Sequence, residues 1–136
     1  MIVKPADAGE AALRLAAREE ELERLFPWLA AAVERLNISP ALRPRLHLAL
    51  EEAVSNIVRH GFAPRATGSV TVRLERDGPG ARLVIEDDGK PFDPSAGALP
   101  PIRASLAEAQ VGGSGLRLLR HACDAIAYST SGGLNR

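Results

Sequence analysis

Residues able to do chemistry first occur together in the stretch EEAVSNIVRHG, residues 51–61. Glu52, Asn56 and His60 follow one another at steps of four in a segment otherwise rich in Leu, Ala and Val. On a helix, residues four apart share one face about 5–6 Å from each other, so Glu52 and Asn56 can reach a single ligand. A carboxylate can take a proton from a hydroxyl or from water, and an amide oxygen is a neutral ligand suited to Mg²⁺. Two interpretations stay open: a solvated polar stripe and a catalytic one.

A second candidate is VIEDDGKPFDP, residues 84–94, where an apolar run ends in acidic residues and a glycine. A strand that ends in Asp-Gly is most often an ordinary turn. The apolar lead-in also allows a binding interpretation, in which Asp87 accepts a hydrogen bond from an exocyclic amine such as that of adenine. Gly89 would let a flat ring approach the backbone, and Phe92 could wall the pocket.

A third candidate is VGGSGLRLL, residues 111–119, in which Gly112, Gly113 and Gly115 precede a predicted helix. Free N–H groups and the positive end of a helix favour phosphate binding there, although a flexible loop before a helix is an equal alternative. Other phosphate-binding signatures are missing from the sequence, namely the P-loop, the dinucleotide-binding glycines and the motifs of eukaryotic-type protein kinases.

Composition excludes several classes of function. The 136 residues fit one domain, and 17 basic residues balance 17 acidic ones, so no net field draws the chain to nucleic acid or anionic membranes. The single Cys123 cannot form an internal disulfide, and no Cys/His cluster has metal-ligand spacing. The N-terminus lacks the features of a signal peptide, and no stretch approaches the roughly 20 apolar residues of a membrane span. We expect a reduced, cytoplasmic domain without direct nucleic-acid or membrane binding.

Two helices are predicted around the first candidate stretch. Apolar periodicity predicts a helix from Glu19 to about Leu36, which Pro27 should kink or divide because proline lacks an N–H and clashes with the preceding turn. Ser39 is the predicted N-cap of the second helix, with Pro40 at its first position. The apolar face of that helix, which Gly61 closes, consists of Leu46, Ala49, Leu50, Ala53, Val54, Ile57 and Val58.

The rest of the chain predicts mainly strands. AALRLAA, residues 11–17, predicts a short first strand, and SVTVRLER, DGPG and ARLVIED predict an antiparallel hairpin around a turn. A helix is expected over residues 115–124, and AIAYSTSGGLNR predicts a strand that enters a Gly-Gly turn. This order of elements favours an α+β layer sandwich.

The three candidate stretches, in this order, resemble the GHKL (HATPase_c) superfamily of gyrase B, histidine kinases and mismatch-repair ATPases. Within it, the chain looks most like the anti-sigma factor serine/threonine kinases. The resemblance runs from about Leu13 to the end and is carried by EEAVSNIVRHGF, IEDDGKPFDP and GGSGLRLLRHACDAIAYSTSGGLN. In the third stretch Asp124, Tyr128, Gly133 and Asn135 follow the glycines at the offsets usual in the family.

The resemblance implies a role for each matching residue. Glu52 would be the general base, Asn56 would hold Mg²⁺ against the triphosphate, and Asp87 would bind the adenine amine. Histidine kinases generally carry a neutral or basic residue at the Glu52 position, so an acidic residue there favours transfer to a serine or threonine. The full nucleotide-binding set implied by the resemblance is Asn56, His60, Asp87, Gly89, Phe92, Gly112, Gly113, Ser114, Gly115 and Leu116.

The resemblance also implies a fold and a function. The expected fold is a two-layer α/β sandwich, with a mixed, mostly antiparallel sheet covered on one face by helices, in one ATP-binding kinase domain over 1–136 with a lid at about 93–112. The expected protein uses ATP and Mg²⁺ to phosphorylate a STAS-type anti-anti-sigma protein, can sequester a sigma factor, and pairs as a homodimer. The alternative is a nucleotide-binding interaction module that regulates a partner without phosphoryl transfer. One departure is that the family usually continues past the Asn135 position into a closing apolar strand.

Overall fold

A computed structural model describes residues 9–60, 68–89 and 121–136 of the chain. The predicted lid at about 93–112, Phe92 and the glycine-rich residues 112–116 lie outside the described residues. The elements, in chain order, are β1 (Glu10–Ala16), a 3-10 helix (Glu19–Arg24), α1 (Leu25–Arg35), a second 3-10 helix (Pro40–Leu42), α2 (Arg43–His60), β2 (Ser69–Asp77), β3 (Gly80–Asp87), β4 (Thr130–Ser131) and β5 (Leu134–Asn135).

The five described strands form one sheet in the order β1-β2-β3-β5-β4, and every pairing among them is antiparallel. Leu13 lies opposite Val72, and Val72 lies opposite Ile85, so these side chains share one face of the sheet. Both helices pack on that face, which confirms the predicted α+β sandwich with helices on one side.

The β2–β3 hairpin follows the sequence prediction closely. Asp77 pairs with Gly80, which leaves a two-residue turn of Gly78 and Pro79. Gly78 has a φ of 55°, a conformation that glycine adopts without steric cost. The predicted DGPG turn is therefore confirmed.

The helix predicted from Glu19 is divided, although not at Pro27 itself. The 3-10 helix ends at Arg24, and α1 begins at Leu25, which makes Pro27 the third residue of α1. N–H groups in the first turn of a helix have no partner within the helix. Pro27 therefore costs α1 no hydrogen bond, and the proline that predicted a break lies just inside the start of the new helix.

The starts of α2 and of the last strand also differ from the prediction. Ser39 and Pro40, predicted as the N-cap and first residue of the second helix, instead begin a 3-10 turn; Ser39 makes no side-chain capping bond, and the α-helix starts only at Arg43. At the other end of the chain, strand structure is confined to the two short strands β4 and β5, which flank the turn made by Gly132 and Gly133. Residues 125–129 are not a strand.

The core lies between the helices and strands β1 and β2. Its most fully buried side chains are Leu15, Leu25, Leu29, Leu50, Val54, Val70, Val72 and Leu74. The opposite face of the sheet carries charges instead: Arg73 contacts both Glu10 and Glu86, and Arg136 also contacts Glu86. Within the described ranges, no helix has the length and apolar content needed to cross a membrane.

Arg45, near the start of α2, ties this helix to a distant part of the chain. Its Nε donates to the Ala122 carbonyl at 3.0 Å, and another guanidinium nitrogen contacts an Asp124 carboxylate oxygen at 2.9 Å. Ala122 is buried against Ala49 of α2. These contacts fix the segment from residue 121 onward beside α2, where it closes one side of a cavity.

Candidate functional site

Helix α2 presents different residue types in different directions. Leu46, Leu50 and Val54 are buried in the core. Small and polar side chains turn toward β3, among them Ala49, Ala53 and Asn56. Because alanines are short, this side of α2 leaves space above β3 that bulkier side chains would have filled.

The space is a cavity of about 470 Å³, within the range typical of small-molecule sites. Its walls are mostly apolar, with Ile57 from α2, Ile85 from β3 and Ile126 from the C-terminal segment. Asn56 and Asp87 both line it, so the structure brings together two residues that are 31 positions apart and that the sequence assigned to one ligand. The remaining lining residues are Ala49, Ala53, Arg82, Leu83, Val84, Cys123, Ala125, Ala127, Tyr128, Asn135 and Arg136.

Asp87 is the buried polar group on the β3 wall of this cavity, with 6% of its surface exposed. Its Oδ1 accepts a hydrogen bond from the Gly89 backbone N–H at 2.9 Å and another from Asn135 Nδ2 at 3.1 Å. The first bond is a local turn contact, since an aspartate side chain often bonds the backbone two residues on. Among the described residues no donor reaches Oδ2, which leaves that oxygen able to accept a hydrogen bond from a ligand.

Asn135 and Tyr128 belong to the site although the sequence assigned neither a role. Asn135 is 4% exposed and lies opposite Asp87 in the β3–β5 pairing, and the Tyr128 hydroxyl donates to its Oδ1 at 2.8 Å. The available signal was their position in the third family-like stretch. A polar residue two positions after the Gly-Gly turn was a further sign, because the turn returns the chain to the end of β3.

Glu52 lies one turn from Asn56 but lines a different depression. This second cavity, about 320 Å³, lies between α2 and the N-terminal helices, where Leu22 and Phe26 face Ser55 and Arg59. The two residues predicted to act on one ligand thus open to neighbouring spaces on α2. Arg59 at the edge of the groove contacts Glu19 at 3.3 Å.

The environment of Glu52 favours its protonated form. Partial burial raises the pKa of this carboxyl above the ordinary value, and the negative charge of Glu51 adds to that effect, while Arg59 opposes it. A carboxylate with a raised pKa is a stronger base toward a hydroxyl than an exposed one. The electrostatics therefore fit the general-base role that the resemblance implies for Glu52.

Other predicted site residues lie partly or wholly outside the described part of the chain. His60 is the last residue of α2, and its side chain is outside the description, as are Phe92, Gly112, Gly113, Ser114, Gly115 and Leu116. Gly89 is described, and its carbonyl accepts from Asn135 Nδ2 at 2.9 Å. In the described ranges no group of three or more His, Cys, Asp or Glu side chains could hold a metal ion.

The donor set of the cavity fits an adenine nucleotide. Apolar walls suit a flat base, a buried carboxylate suits its exocyclic amine, and a single amide oxygen suits Mg²⁺ that is held mainly by phosphates. A metal held by protein side chains alone would need more ligands than the described residues supply.

The comparisons with known proteins agree with this geometry. The sequence matches the histidine kinase-like ATPase domain family over residues 15–136, and the chain belongs to that family. A relative is the serine/threonine-protein kinase BtrW of Bordetella bronchiseptica, 38% identical over 108 residues that cover 79% of this chain and 76% of the relative. Both findings confirm the resemblance drawn from the three sequence stretches, and an ATPase domain family makes ATP the expected nucleotide.

Proposed function

We propose that this protein is an ATP- and Mg²⁺-dependent serine/threonine protein kinase. The observation that carries the proposal is the arrangement around α2, where Asn56 and buried Asp87 share one cavity and Glu52 lies a single turn away. The kinase named among its relatives supports the same reaction class.

The cavity supplies the nucleotide-binding part of this proposal. Asp87 would accept the amine of the base, and the Asn56 side-chain oxygen would face the Mg²⁺. When bound, ATP with its metal provides the phosphoryl group and neutralises much of the charge that develops during transfer. Positioning by the protein then accounts for much of the remaining rate enhancement.

The groove beside Glu52 supplies the acceptor part. A serine or threonine hydroxyl that enters between Phe26 and Ser55 would meet the Glu52 carboxylate. Glu52 would take the hydroxyl proton as the oxygen bonds to the γ-phosphorus, and the bond from that phosphorus to the bridging oxygen would break, with ADP as the leaving group. Nucleotide and protein substrate would thus approach α2 through neighbouring depressions and meet beside its middle turns.

The proposed substrate is a STAS-type anti-anti-sigma protein, and the kinase can also hold a sigma factor inactive. This assignment rests on the resemblance to anti-sigma factor kinases and on the acidic residue at position 52. A homodimer in the cytoplasm is the corresponding proposal for its assembly and location.

The test is a transfer assay with γ-labelled ATP, Mg²⁺ and the purified STAS proteins of the same organism. We expect label on serine or threonine of one STAS protein. Glu52→Ala should lower the rate by about 10²–10⁴-fold, the usual contribution of a general base, while ATP binding by calorimetry is kept. Glu34→Ala is the matched control, because it removes an exposed helical carboxylate that lines neither cavity.

Each contrary result removes a different part of the proposal. Unchanged transfer in Glu52→Ala would show that the base is assigned wrongly. Label on none of the STAS proteins, with ATP still bound, would favour the interaction module without phosphoryl transfer. A wild-type protein that no adenine nucleotide stabilises in a thermal-shift assay would overturn the kinase proposal.

A further inference from the structure

The side chain of Asn135 uses both of its N–H donors and its oxygen at the end of β3. Its Nδ2 donates to Asp87 Oδ1 and to the Gly89 carbonyl, and its Oδ1 accepts from the Tyr128 hydroxyl. An amide group has two N–H donors, and here each has its own acceptor. Such a network holds all of its members in one arrangement.

The partners also fix which way round the amide lies. The Gly89 carbonyl can only accept, so the nitrogen of Asn135 must face it, and the oxygen must then face Tyr128. The Tyr128 hydroxyl donates to that oxygen and holds it in place. Gly89 and Asp87 therefore determine which way round the amide lies, and Asn135 occupies Oδ1 of Asp87 together with the Gly89 N–H.

We propose that Tyr128 and Asn135 are positioning residues that set the base preference of the cavity through Asp87. Asn135, whose oxygen Tyr128 holds, donates to Oδ1 and leaves Oδ2 as the acceptor for the base, which suits a purine with a 6-amino group better than one with a 6-oxo group or no substituent. This inference rests on the proposed function only because it assumes that the cavity binds ATP. It does not depend on phosphoryl transfer.

A purely structural role would not require this network. The main chains of β3 and β5 already pair at Asp87 and Asn135, and Ser129 and Arg136 exchange backbone hydrogen bonds at 2.9 and 2.8 Å that close the C-terminal hairpin. All three polar side chains line the same cavity. The backbone therefore pairs the two strands without the side-chain bonds, and the side-chain bonds serve to orient Asp87.

The test compares the binding of ATP with that of purine riboside triphosphate, which lacks the 6-amino group, by calorimetry on the full chain. Wild type should prefer ATP by about tenfold or more, the effect of a hydrogen bond to a charged group. Tyr128→Phe should reduce this ratio about threefold, and Asn135→Leu should bring it near one, the value expected for the reference variant Asp87→Asn. Ser131→Ala, on exposed β4, is the matched control and should keep the wild-type ratio.

The ratio of the two affinities distinguishes a positioning role from a role in folding, because a general loss of structure would weaken the binding of both nucleotides equally. Equal losses for ATP and purine riboside triphosphate in Tyr128→Phe, or an unchanged ratio, would overturn the inference while leaving the ATP site in place. If Asn135→Leu shows no cooperative melting, Tyr128→Phe decides alone. A wild type that binds neither nucleotide would remove the proposed ATP site together with this inference.

Discussion

Strands β2 and β3 present paired residues to the same face of the sheet, but the helices bury only the residues of β2 completely. Val70, Val72 and Leu74 of β2 have no exposed surface. Their partners across the ladder are Asp87, Ile85 and Leu83, of which the two apolar residues are only partly buried and all three line the cavity. The helix layer therefore makes a core over β2 and a cavity over β3.

The difference shows how one helix serves both purposes. Over β2, α2 contributes Leu50 and Val54, which are completely buried. Toward β3 it contributes Ala49 and Ala53, whose short side chains line the cavity. The two directions on α2 thus divide its residues into those that stabilise the fold and those that leave room for a ligand.

The largest effect should come from truncating the two cross-strand leucines. Leu74→Ala removes a fully buried side chain and should lower the free energy of unfolding by about 2–5 kcal/mol. Leu83→Ala removes its partly exposed partner and should cost about 1 kcal/mol or less, because less apolar surface returns to water. Urea denaturation of both variants measures the difference. Equal losses would mean that the surface over β3 is as closely packed as the core.

A second pair of variants separates binding from stability. Asp87→Asn should weaken ATP binding by about 10–100-fold, since a hydrogen bond to a charged group contributes about 1.5–3 kcal/mol, with little effect on unfolding. Val70→Ala, at the position opposite Asp87, should lower stability by about 2 kcal/mol and leave the ATP affinity of the folded protein close to wild type. Calorimetric titration and urea denaturation give the two quantities. A large loss of ATP affinity in Val70→Ala would contradict the separation between core residues and ligand-binding residues.

The smallest expected effect concerns Glu52 and pH. The folded state raises the pKa of this carboxyl, chiefly by burial, so the folded protein holds the Glu52 proton more tightly than the unfolded chain does. The stability associated with that proton is fully present below the unfolded pKa and is lost as pH rises through the higher folded pKa. Glu52→Gln should therefore unfold at a slightly higher temperature than wild type at pH 7, with the gain vanishing in acid.

Melting curves at several pH values measure this, with Glu34→Gln on an exposed position of α1 as the control for changing a carboxylate to an amide. A Glu52→Gln variant less stable than wild type at pH 7 would show that the charge of Glu52 stabilises the folded state.

The sequence predicted the elements better than their ends. Strand β1, the β2–β3 hairpin and the apolar face of α2 follow from local periodicity, and the structure has all of them. The division before Pro27 was expected only in part, because a proline is consistent both with a kink and with the first turn of a new helix. The short extent of β4 and β5 depends on pairing with β3, which no local pattern encodes.

The candidate site was predictable to a similar degree. The assignment of Asn56 and Asp87 to one ligand agrees with the cavity they share, and it came from motif order and not from either residue alone. The participation of Tyr128 and Asn135 was not predicted, because their roles depend on hydrogen bonds between positions up to 48 residues apart. Likewise, the opening of Glu52 to a separate groove depends on where the N-terminal helices pack.

The bonds from Arg45 to Ala122 and Asp124 join positions 77 and 79 residues apart in the chain. Contacts of such long sequence separation impose a large loop-closure entropy and slow folding, whereas the hairpin and the helices can form from nearby residues. The walls of the cavity should therefore come together late, after the transition state has buried most of the core. A nucleotide bound between those walls would then slow unfolding and leave the folding rate nearly unchanged, so that occupancy lengthens the lifetime of the native protein.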